Sequence, residues 1–486
     1  MTTFCSDPVN EEATRQALDR RIAAEPDAIA PRFERALLWT RRGNADAARQ
    51  DYLDILARDP GHFAALNNLG TLLYDTGYRT AARTVYGEAV KRHPDRATGH
   101  VNLGNLLLGD GALDEARQSF ETALRLDPGL AVAHQGLAHT LQDKGETAAA
   151  AYHRRLGFTG HSRQTWPCRG DETARRVLVL AAATGGNIPL QSLIDDRRFR
   201  TSVVFADFDD PVQPLPPHEL VFNAIGDADQ SPAALHAAGL LIAGTRAPVI
   251  NDPAAVLATG RGVNAGRLAA IPGVIMPITA RLPRTVPSGG DAAAALARHG
   301  LDFPVLLRTP GFHTGRHFEC VSDSGAWDAA WATLPGTELL AIQYLDARGA
   351  DGYARKYRVM MIDGRLYPLH LAVAAHWKVH YFAADMADHA EFRAEEAAFL
   401  RDMTGVIGSR GMQALERIRD QLGLDYAGID FALDRDGSIL VFEVNATMTV
   451  VPPPDDRKWD YRRPACARVL SAIRDMMLTR IPAARP

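Results

Sequence analysis

The stretch Tyr426–Val451, YAGIDFALDRDGSILVFEVNATMTVV, decides how the last third of the chain folds. Two short apolar segments are joined by Asp-Arg-Asp-Gly, a turn sequence whose glycine suits a hairpin. Because alternate residues of a strand share a face, Glu443 and Asn445 should project together. Asp430 lies thirteen positions before Glu443, on the partner strand. The pattern predicts a β-hairpin that carries two carboxylates and one amide to a single point.

The three side chains of this hairpin form a set of hard oxygen donors. Such oxygens suit Mg²⁺, which bridges nucleotide phosphates in many protein sites. Burying charged groups unpaired among Ile, Phe, Val and Leu would cost several kcal/mol, which favours a bound cation. The sequence therefore predicts a magnesium site at Asp430, Glu443 and Asn445. A surface hairpin whose acidic groups face water is the alternative.

The first third of the chain repeats with a period of 34 residues. The recurring prolines are Pro26, Pro60, Pro94 and Pro128. On the same period lie small residues such as Gly70 and Gly104, and the aromatic residues Tyr52, Tyr86 and Phe120. Small residues let two antiparallel helices approach closely, the aromatic fills the gap between copies, and proline ends the second helix. This pattern resembles the tetratricopeptide repeat, with about four copies between residues 27 and 156.

The resemblance implies an all-α solenoid over residues 1–160 with a concave groove that binds peptides or proteins. It places Asn67, Asn68 and Asn102 in this groove, where asparagines bond to peptide backbones. For each asparagine taken singly, a solvated helix surface is an equal alternative. We expect a peptide or protein substrate or partner for this region.

After a predicted linker at 161–175, the sequence pattern changes to alternating strands and helices. The predicted strands are Val177–Leu180, Ser202–Ala206 and Leu220–Ile225, and the helical stretches between them are Ile188–Asp196 and Pro232–Ala243. Buried strands that alternate with helices predict a parallel-sheet α/β domain. A more mixed α+β pattern follows it.

The hairpin spacing D-x12-E-x-N resembles the metal-binding hairpin of the ATP-grasp superfamily, which includes D-alanine–D-alanine ligase, glutathione synthetase and RimK-type ligases. Other segments resemble family motifs in the same chain order. They are Asn251–Pro253, FPVLLR at Phe303–Arg308, AIQYLD at Ala341–Asp346, and the strand and turn Lys356–Gly364. The resemblance covers about residues 175–460. It implies a multidomain chain in which an α/β pre-ATP-grasp domain (176–285) and an α+β ATP-grasp domain (286–486) follow the solenoid.

The resemblance implies a role for each matching residue. Asp430, Glu443 and Asn445 would bind Mg²⁺, and Arg358 and Lys378 would act at an acyl phosphate. The residues implied in ATP binding are Arg261, Arg308, Gly311, His313, Thr314 and Gly315 for the phosphates, and Gln343, Tyr344 and Leu345 for the adenine. Arg261 and Arg308 stand where the family carries lysines. A weakened or inactive nucleotide site is therefore an alternative.

Three histidines, His370, His376 and His380, surround Lys378. As one strand, residues 376, 378 and 380 would share a face. Two histidines four residues apart on a strand lie about 13 Å from each other, too far for one zinc ion. A polar wall of an active site and a solvated strand face are equal alternatives.

The implied activity is an ATP- and magnesium-dependent carboxylate–amine ligase that works through an acyl phosphate. The solenoid suggests that it forms or modifies peptide bonds, with a small molecule or amino acid as co-substrate. One alternative is a non-catalytic scaffold whose C-terminal half senses ATP. Another is a small-molecule ligase or phosphotransferase whose repeats serve only oligomerisation.

The composition argues against two classes of binding partner, nucleic acids and anionic membranes. The chain is 46% hydrophobic and 23% charged, with a net charge of −4. This balance lacks the basic excess of nucleic-acid binders and of proteins that bind anionic membranes. With no apolar run of about 18 residues and no signal peptide, we expect a cytoplasmic location. A homo-oligomer is compatible with the sequence.

Overall fold

The computed structural model describes residues 8–284, 292–310, 317–379, 384–454 and 456–482, without the side chains of residues 8–10 and 261. The chain divides into two compact units. Unit 1 comprises Met1–Arg175 and Asp196–Ser202, and unit 2 comprises Arg176–Asp195 and Val203–Pro486. Among the described residues, we find no helix with the length and apolar character that a membrane crossing requires.

Unit 1 begins with paired antiparallel helices. They are α1 (Pro8–Ala24), α2 (Ile29–Arg42), α3 (Ala45–Arg58), α4 (Phe63–Asp75), α5 (Arg79–Arg92), α6 (Ala97–Gly109), α7 (Leu113–Leu126), α8 (Ala131–Asp143) and α9 (Thr147–Phe158). The first helices of successive pairs, α2, α4, α6 and α8, start 34 residues apart. The helical solenoid predicted from the sequence is confirmed.

Glycine and aromatic side chains explain the period. At Gly70, a Cβ atom would come within 2.5 Å of the Tyr86 ring, and at Gly104 within 2.9 Å of the Phe120 ring. Tyr86 and Phe120 are buried, so α4 and α6 each require a glycine where the aromatic residue of the same pair packs. A second glycine lies in the turn between the two helices of each pair, at a positive φ of 73–85°. These glycines are at positions 43, 77, 111 and 145.

The segment after the helices contains the strand β1 (Arg163–Thr165), which falls within the predicted linker. The next strands are β2 (Arg175–Ala181), β3 (Phe199–Phe205), β4 (Leu220–Asn223) and β5 (Val249–Ile250). The boundary between the two units falls within β3. In unit 2, β4 pairs in parallel with both β2 and β5. The three strands predicted in this region are confirmed.

One predicted helix in this region is wrong. The stretch Ile188–Asp196 contains only a single 3₁₀ turn at Leu190–Ser192. At its start the backbone is held by the segment after β4 instead, since the preceding Asn187 forms an isolated bridge with Ile225 and the Ile188 N–H donates to the Ala224 carbonyl at 2.7 Å. The helix predicted at Pro232–Ala243 is present as α10 (Pro232–Ile242).

The rest of unit 2 is built around two further sheets. The helices and strands are α11 (Pro253–Leu257), α12 (Arg261–Ala269), β6 (Val274–Ile275), β7 (Thr279–Pro283), α13 (Ala292–Ala297), β8 (Val305–Arg308), β9 (Phe318–Val321), α14 (Ser324–Thr333), β10 (Glu338–Gln343), β11 (Ala354–Ile362), β12 (Arg365–Ala374), α15 (Ala390–Arg401), α16 (Met403–Leu422), β13 (Tyr426–Leu433), β14 (Ile439–Asn445) and α17 (Arg463–Arg480). One sheet has the order β7-β10-β8-β9 and the other β12-β11-β13-β14-β6.

The predicted hairpin is β13 and β14, with Gly437 in its turn at a φ of 81°. Asp430 lies directly opposite Glu443 on β14 and, across its other edge, opposite Arg358 on β11. Directly opposed residues of antiparallel strands share a face. The sheet therefore carries these three charged side chains in one row across three strands.

Asn251 ties the end of β5 to the start of β13. Its side chain donates to the Tyr426 carbonyl at 2.8 Å and accepts the N–H groups of Asp425 and Tyr426 at 3.0 and 2.8 Å. Its backbone N–H donates to the Asp425 carboxylate at 2.8 Å, and its carbonyl accepts from Asn223. The residue is fully buried at a φ of 57°, a conformation that asparagine tolerates better than most residues. One amide thus fixes where the β13 strand begins.

Replacing Asn251 by alanine should lower the free energy of unfolding by about 3–5 kcal/mol. The change leaves two buried N–H groups and a carbonyl without their side-chain partner, and it puts alanine at a positive φ. Urea denaturation measures the loss, with Asn105→Ala at an exposed position of α6 as the control. Equal stabilities of the two variants would contradict this role.

Candidate functional site

A cavity of about 750 Å³ lies in unit 2 between the two antiparallel-rich sheets. Nine residues predicted from the sequence line it: Arg308, Gln343, Tyr344, Leu345, Arg358, Lys378, Asp430, Glu443 and Asn445. The other predicted phosphate-binding groups, namely the Arg261 side chain and Gly311, His313, Thr314 and Gly315, lie outside the described residues. The structure thus brings together segments that are more than a hundred residues apart.

Asp430 is the buried carboxylate of the cavity, with 3% of its surface exposed. Arg358 donates to both of its oxygens, from Nε at 2.6 Å and from Nη2 at 2.7 Å. The Lys356 ammonium lies 3.0 Å from Oδ2. Burial by itself would raise the pKa of Asp430, but the charges of Arg358 and Lys356 outweigh it and hold this pKa far below its usual range. Asp430 is therefore ionised and paired.

The sequence analysis did not assign Lys356 or Arg462 to the site, although both line the cavity. Lys356 could have been found, because its spacing of two from Arg358 on one strand puts both side chains on one face. Arg462 ends the 3₁₀ segment Arg457–Arg462, and no local pattern marks it. Its Nε lies 3.2 Å from the buried Glu396 carboxylate.

The lining of the cavity is electropositive. The basic residues are Arg308, Lys356, Arg358, Lys378 and Arg462, and the acidic residues are Asp430 and Glu443. The side chains that line the cavity thus carry a net charge of +3. A concave, partly apolar site with this charge attracts anions and strengthens their binding.

Asn445 has a partner in its own chain segment. Its Oδ1 accepts the Thr447 N–H at 2.9 Å and the Thr447 hydroxyl at 2.8 Å. Within the described residues, no group of three or more His, Cys, Asp or Glu residues is arranged to hold a metal ion. By donor type the two carboxylates and the amide oxygen still fit Mg²⁺, provided that Asn445 gives up a Thr447 contact. The magnesium site stays a prediction.

Lys378 does not lie on a strand, so a shared strand face with His376 is ruled out, while His380 lies outside the described residues. Strand β12 ends at Ala374, where Asp385 forms hydrogen bonds with the backbone on both sides of this residue. The Ala375 N–H donates to the Asp385 carboxylate at 2.9 Å, and the Asp385 N–H donates to the Val373 carbonyl. The Lys378 ammonium, which lines the cavity, donates to the Phe318 carbonyl at 3.1 Å.

The three histidines differ in position. His370 lies on β12 opposite Arg358, is buried, and lines the cavity. Burial, together with the Arg358 charge, lowers the pKa of His370 well below its usual value, so its ring is neutral. His376 is exposed, and His380 lies outside the described residues.

The predicted adenine segment begins with Gln343, the last residue of β10. The Gln343 N–H donates to the Ile278 carbonyl at 2.8 Å, and its side-chain oxygen accepts the Ile278 N–H at 3.1 Å. Gln343 therefore holds β10 to the segment that leads into β7. Tyr344 and Leu345 line the cavity beyond it.

A tetratricopeptide-repeat family model matches residues 67–131. The N-terminal helices form a tetratricopeptide-repeat array. Similar solved structures include MamA from Desulfovibrio magneticus RS-1, at 24% identity over 29% of this chain and 81% of that chain, with a TM-score of 0.28. Pseudomonas aeruginosa pilF is 24% identical over 30% and 68% of the two chains, with a TM-score of 0.29. YrrB, described as a TPR protein with an unusual peptide-binding site, is 19% identical over 31% and 77%, with a TM-score of 0.28. No curated protein matched the chain.

Two of the three asparagines predicted in the tetratricopeptide groove meet in the structure. The Asn102 amide donates to the Asn67 side-chain oxygen at 2.7 Å, which joins the first helices of adjacent repeats. Asn68, the next residue of α4, is half-buried and interacts with the Tyr52 hydroxyl. Tetratricopeptide repeats suggest peptide or protein binding in this part of the chain.

Asp430→Asn should cost about 3 kcal/mol of stability at pH 7, because it removes the buried counter-charge of the partly buried Arg358 and Lys356. A carboxylate with a lowered pKa in the folded state contributes its stability above the ordinary Asp pKa of about 4 and loses it as the pH falls. The difference from wild type should therefore shrink below about pH 4. Urea denaturation from pH 7 to pH 3 measures it.

The control for this experiment is Asp436→Asn, in the exposed turn of the same hairpin. It should stay within about 0.5 kcal/mol of wild type. A pH-independent difference at Asp430 would mean that its charge is not what stabilises the sheet.

Proposed function

We propose that the chain is an ATP-dependent carboxylate–amine ligase of the ATP-grasp type, acting on a peptide or protein that its tetratricopeptide repeats recruit. One observation supports the proposal above the others. Nine residues assigned from separate sequence motifs line the same electropositive cavity. A triphosphate is the kind of anion that such a cavity attracts.

The reaction needs little covalent chemistry from the protein. A substrate carboxylate oxygen attacks the γ-phosphorus, the bond to ADP breaks, and an amine then attacks the acyl carbon and releases phosphate. The work of the protein is to position the reactants and to stabilise negative charge. Arg308 and Lys378 lie on the wall of the cavity formed with Phe318, while Arg358 and Lys356 lie over the central strand.

Magnesium belongs to this proposal as a group that Glu443, Asp430 and Asn445 would hold, and it would neutralise phosphate charge. In the protein alone, the charge of Asp430 is already balanced by Arg358 and Lys356. These two basic side chains are therefore held over the cavity before any ligand arrives. His370, neutral and buried beside Arg358, adds no charge to them.

A second candidate function is ATP sensing without catalysis, in a scaffold whose repeats recruit a partner. Two observations favour it. Arg308 stands where the resemblance expects a lysine, and the Asn445 oxygen is already engaged by Thr447. Binding of ATP without turnover would support this candidate over the ligase.

Trapping the acyl phosphate with hydroxylamine tests the ligase. Wild-type protein, ATP, Mg²⁺ and pools of amino acids or short peptides should yield an acyl hydroxamate together with ADP, because hydroxylamine attacks the acyl carbon and releases phosphate. Glu443→Gln should abolish the product, since it removes a carboxylate from the cavity. Glu416→Gln, at an exposed position of α16, is the matched control. If the wild-type protein bound ATP but formed no hydroxamate, the ligase would be rejected in favour of the non-catalytic ATP-sensing scaffold.

Arg308→Ala should weaken ATP binding about ten- to hundredfold, the loss expected for a charge-assisted contact of about 1.5–3 kcal/mol. Arg308→Lys should recover only part of the affinity, because an ammonium cannot replace a planar fork. Calorimetric titration measures both variants. The control is Arg281→Ala on β7 of the same sheet, whose exposed side chain pairs with Glu338.

An arginine that only covers apolar surface would behave differently. Arg308→Ala would then lower the melting temperature and leave the affinity for ATP as in wild type. That outcome would remove Arg308 from the phosphate site.

A further inference from the structure

Phe318 stands between two basic residues on the wall of the cavity. It is the first residue of β9 and lies directly opposite Arg308 on β8. The Arg308 guanidinium carbon is 5.7 Å from the centre of the Phe318 ring. This contact lies within the four-stranded sheet.

The second basic residue lies in the segment that follows β12 of the other sheet. Lys378 follows the end of β12 by four positions, and its ammonium lies 5.9 Å from the centre of the same ring. It also donates to the Phe318 carbonyl at 3.1 Å. The neighbouring Trp377 packs against the Phe318 ring at 5.4 Å in an edge-on geometry. Phe318 is thus the residue at which both walls of the cavity meet.

Two like charges would ordinarily repel each other at such a point. The negative face of an aromatic ring attracts cations within about 6 Å, and the Phe318 carbonyl accepts a hydrogen bond from one of them. The ring therefore offsets the repulsion and keeps both cations at the wall. An anion with several negative charges gains from both cations at once.

We infer that Phe318 is the positioning residue of a phosphate subsite formed by Arg308 and Lys378. The subsite recognises the phosphoanhydride chain and not the nucleoside. This inference rests on the proposed function for the identity of the anion as the phosphates of ATP. Phe318 itself does not contact the reacting atoms and acts by holding the two cations.

Calorimetric titration of the full-length protein with inorganic tripolyphosphate tests the inference. Phe318→Leu keeps the volume apolar and removes the ring, and should weaken tripolyphosphate binding about three- to thirtyfold. Phe318→Tyr keeps the ring and should stay within about twofold of wild type. Adenosine binding should be the same in all three proteins.

The matched control is Phe63→Leu in the tetratricopeptide array. Arg96 lies over the Phe63 ring at 5.7 Å, so this variant removes a contact of the same kind away from the cavity lining. Its tripolyphosphate affinity should equal that of wild type. Melting temperatures of all variants separate a loss of folding from a loss of positioning.

A double-mutant cycle provides a readout that packing alone would not change. If Phe318 positions Lys378, then Lys378→Gln should cost less affinity in the Phe318→Leu background than in wild type. Additive losses, or unchanged binding in Phe318→Leu, would overturn the inference, as would a wild-type protein that does not bind tripolyphosphate. Coupled losses without hydroxamate formation would instead refute the ligase and leave the subsite in place.

Discussion

The buried negative charge of Asp430 is the constraint on which unit 2 depends. A carboxylate with 3% exposure in the middle of a sheet must be paired, because an unpaired buried charge costs several kcal/mol. Arg358 can supply both hydrogen bonds only if β11 lies beside β13 in the observed register, with the two residues opposite each other. Lys356 reaches the same carboxylate from two residues earlier on β11. The pairing of one charge therefore fixes strand order and register, and it orients two basic side chains toward the cavity.

A second network of hydrogen bonds positions this sheet within unit 2. Asn251 bonds to Asp425 and Tyr426 at the start of β13, and the Tyr426 hydroxyl donates to the Met448 carbonyl beyond β14. Met448 in turn fills the space above Gly428, where a Cβ atom would come within 2.6 Å of it. The loop that carries Thr447 is thus held against the sheet, and Thr447 bonds to Asn445. A buried polar group without a hydrogen bond is costly, so these bonds hold the loop in place. Thr447 and Met448 of this loop form one side of the cavity.

The parts of this molecule that were predictable from the sequence are those set by local contacts. The period of 34 residues is visible because the ring of Tyr86 or Phe120 requires a glycine in the helix it packs against. The hairpin could be predicted because its turn glycine, Gly437, and the alternating side chains of its two strands are close together in the sequence. The failures have long-range causes. The helix predicted at Ile188–Asp196 is absent apart from one 3₁₀ turn, and Asn187 just before it forms a bridge with Ile225. Lys378 lies beyond the end of β12, where the Ala375 N–H donates to the Asp385 carboxylate. Arg462 reaches the cavity from a segment with no motif, so only the fold could reveal it.

The use of lysine in this chain indicates where the cavity needs a point charge. Only five of its 54 basic residues are lysines, yet two of the five line the cavity. Lys356 approaches an Asp430 carboxylate whose two oxygens Arg358 already contacts, which leaves room for one compact donor and not for a second planar fork. Lys378 likewise donates to a single carbonyl while it lies near the Phe318 ring. Arginine serves at Arg358, where two parallel hydrogen bonds are made to one carboxylate. The choice between the two basic residues thus follows the geometry of each acceptor, even in a chain that otherwise uses arginine almost throughout.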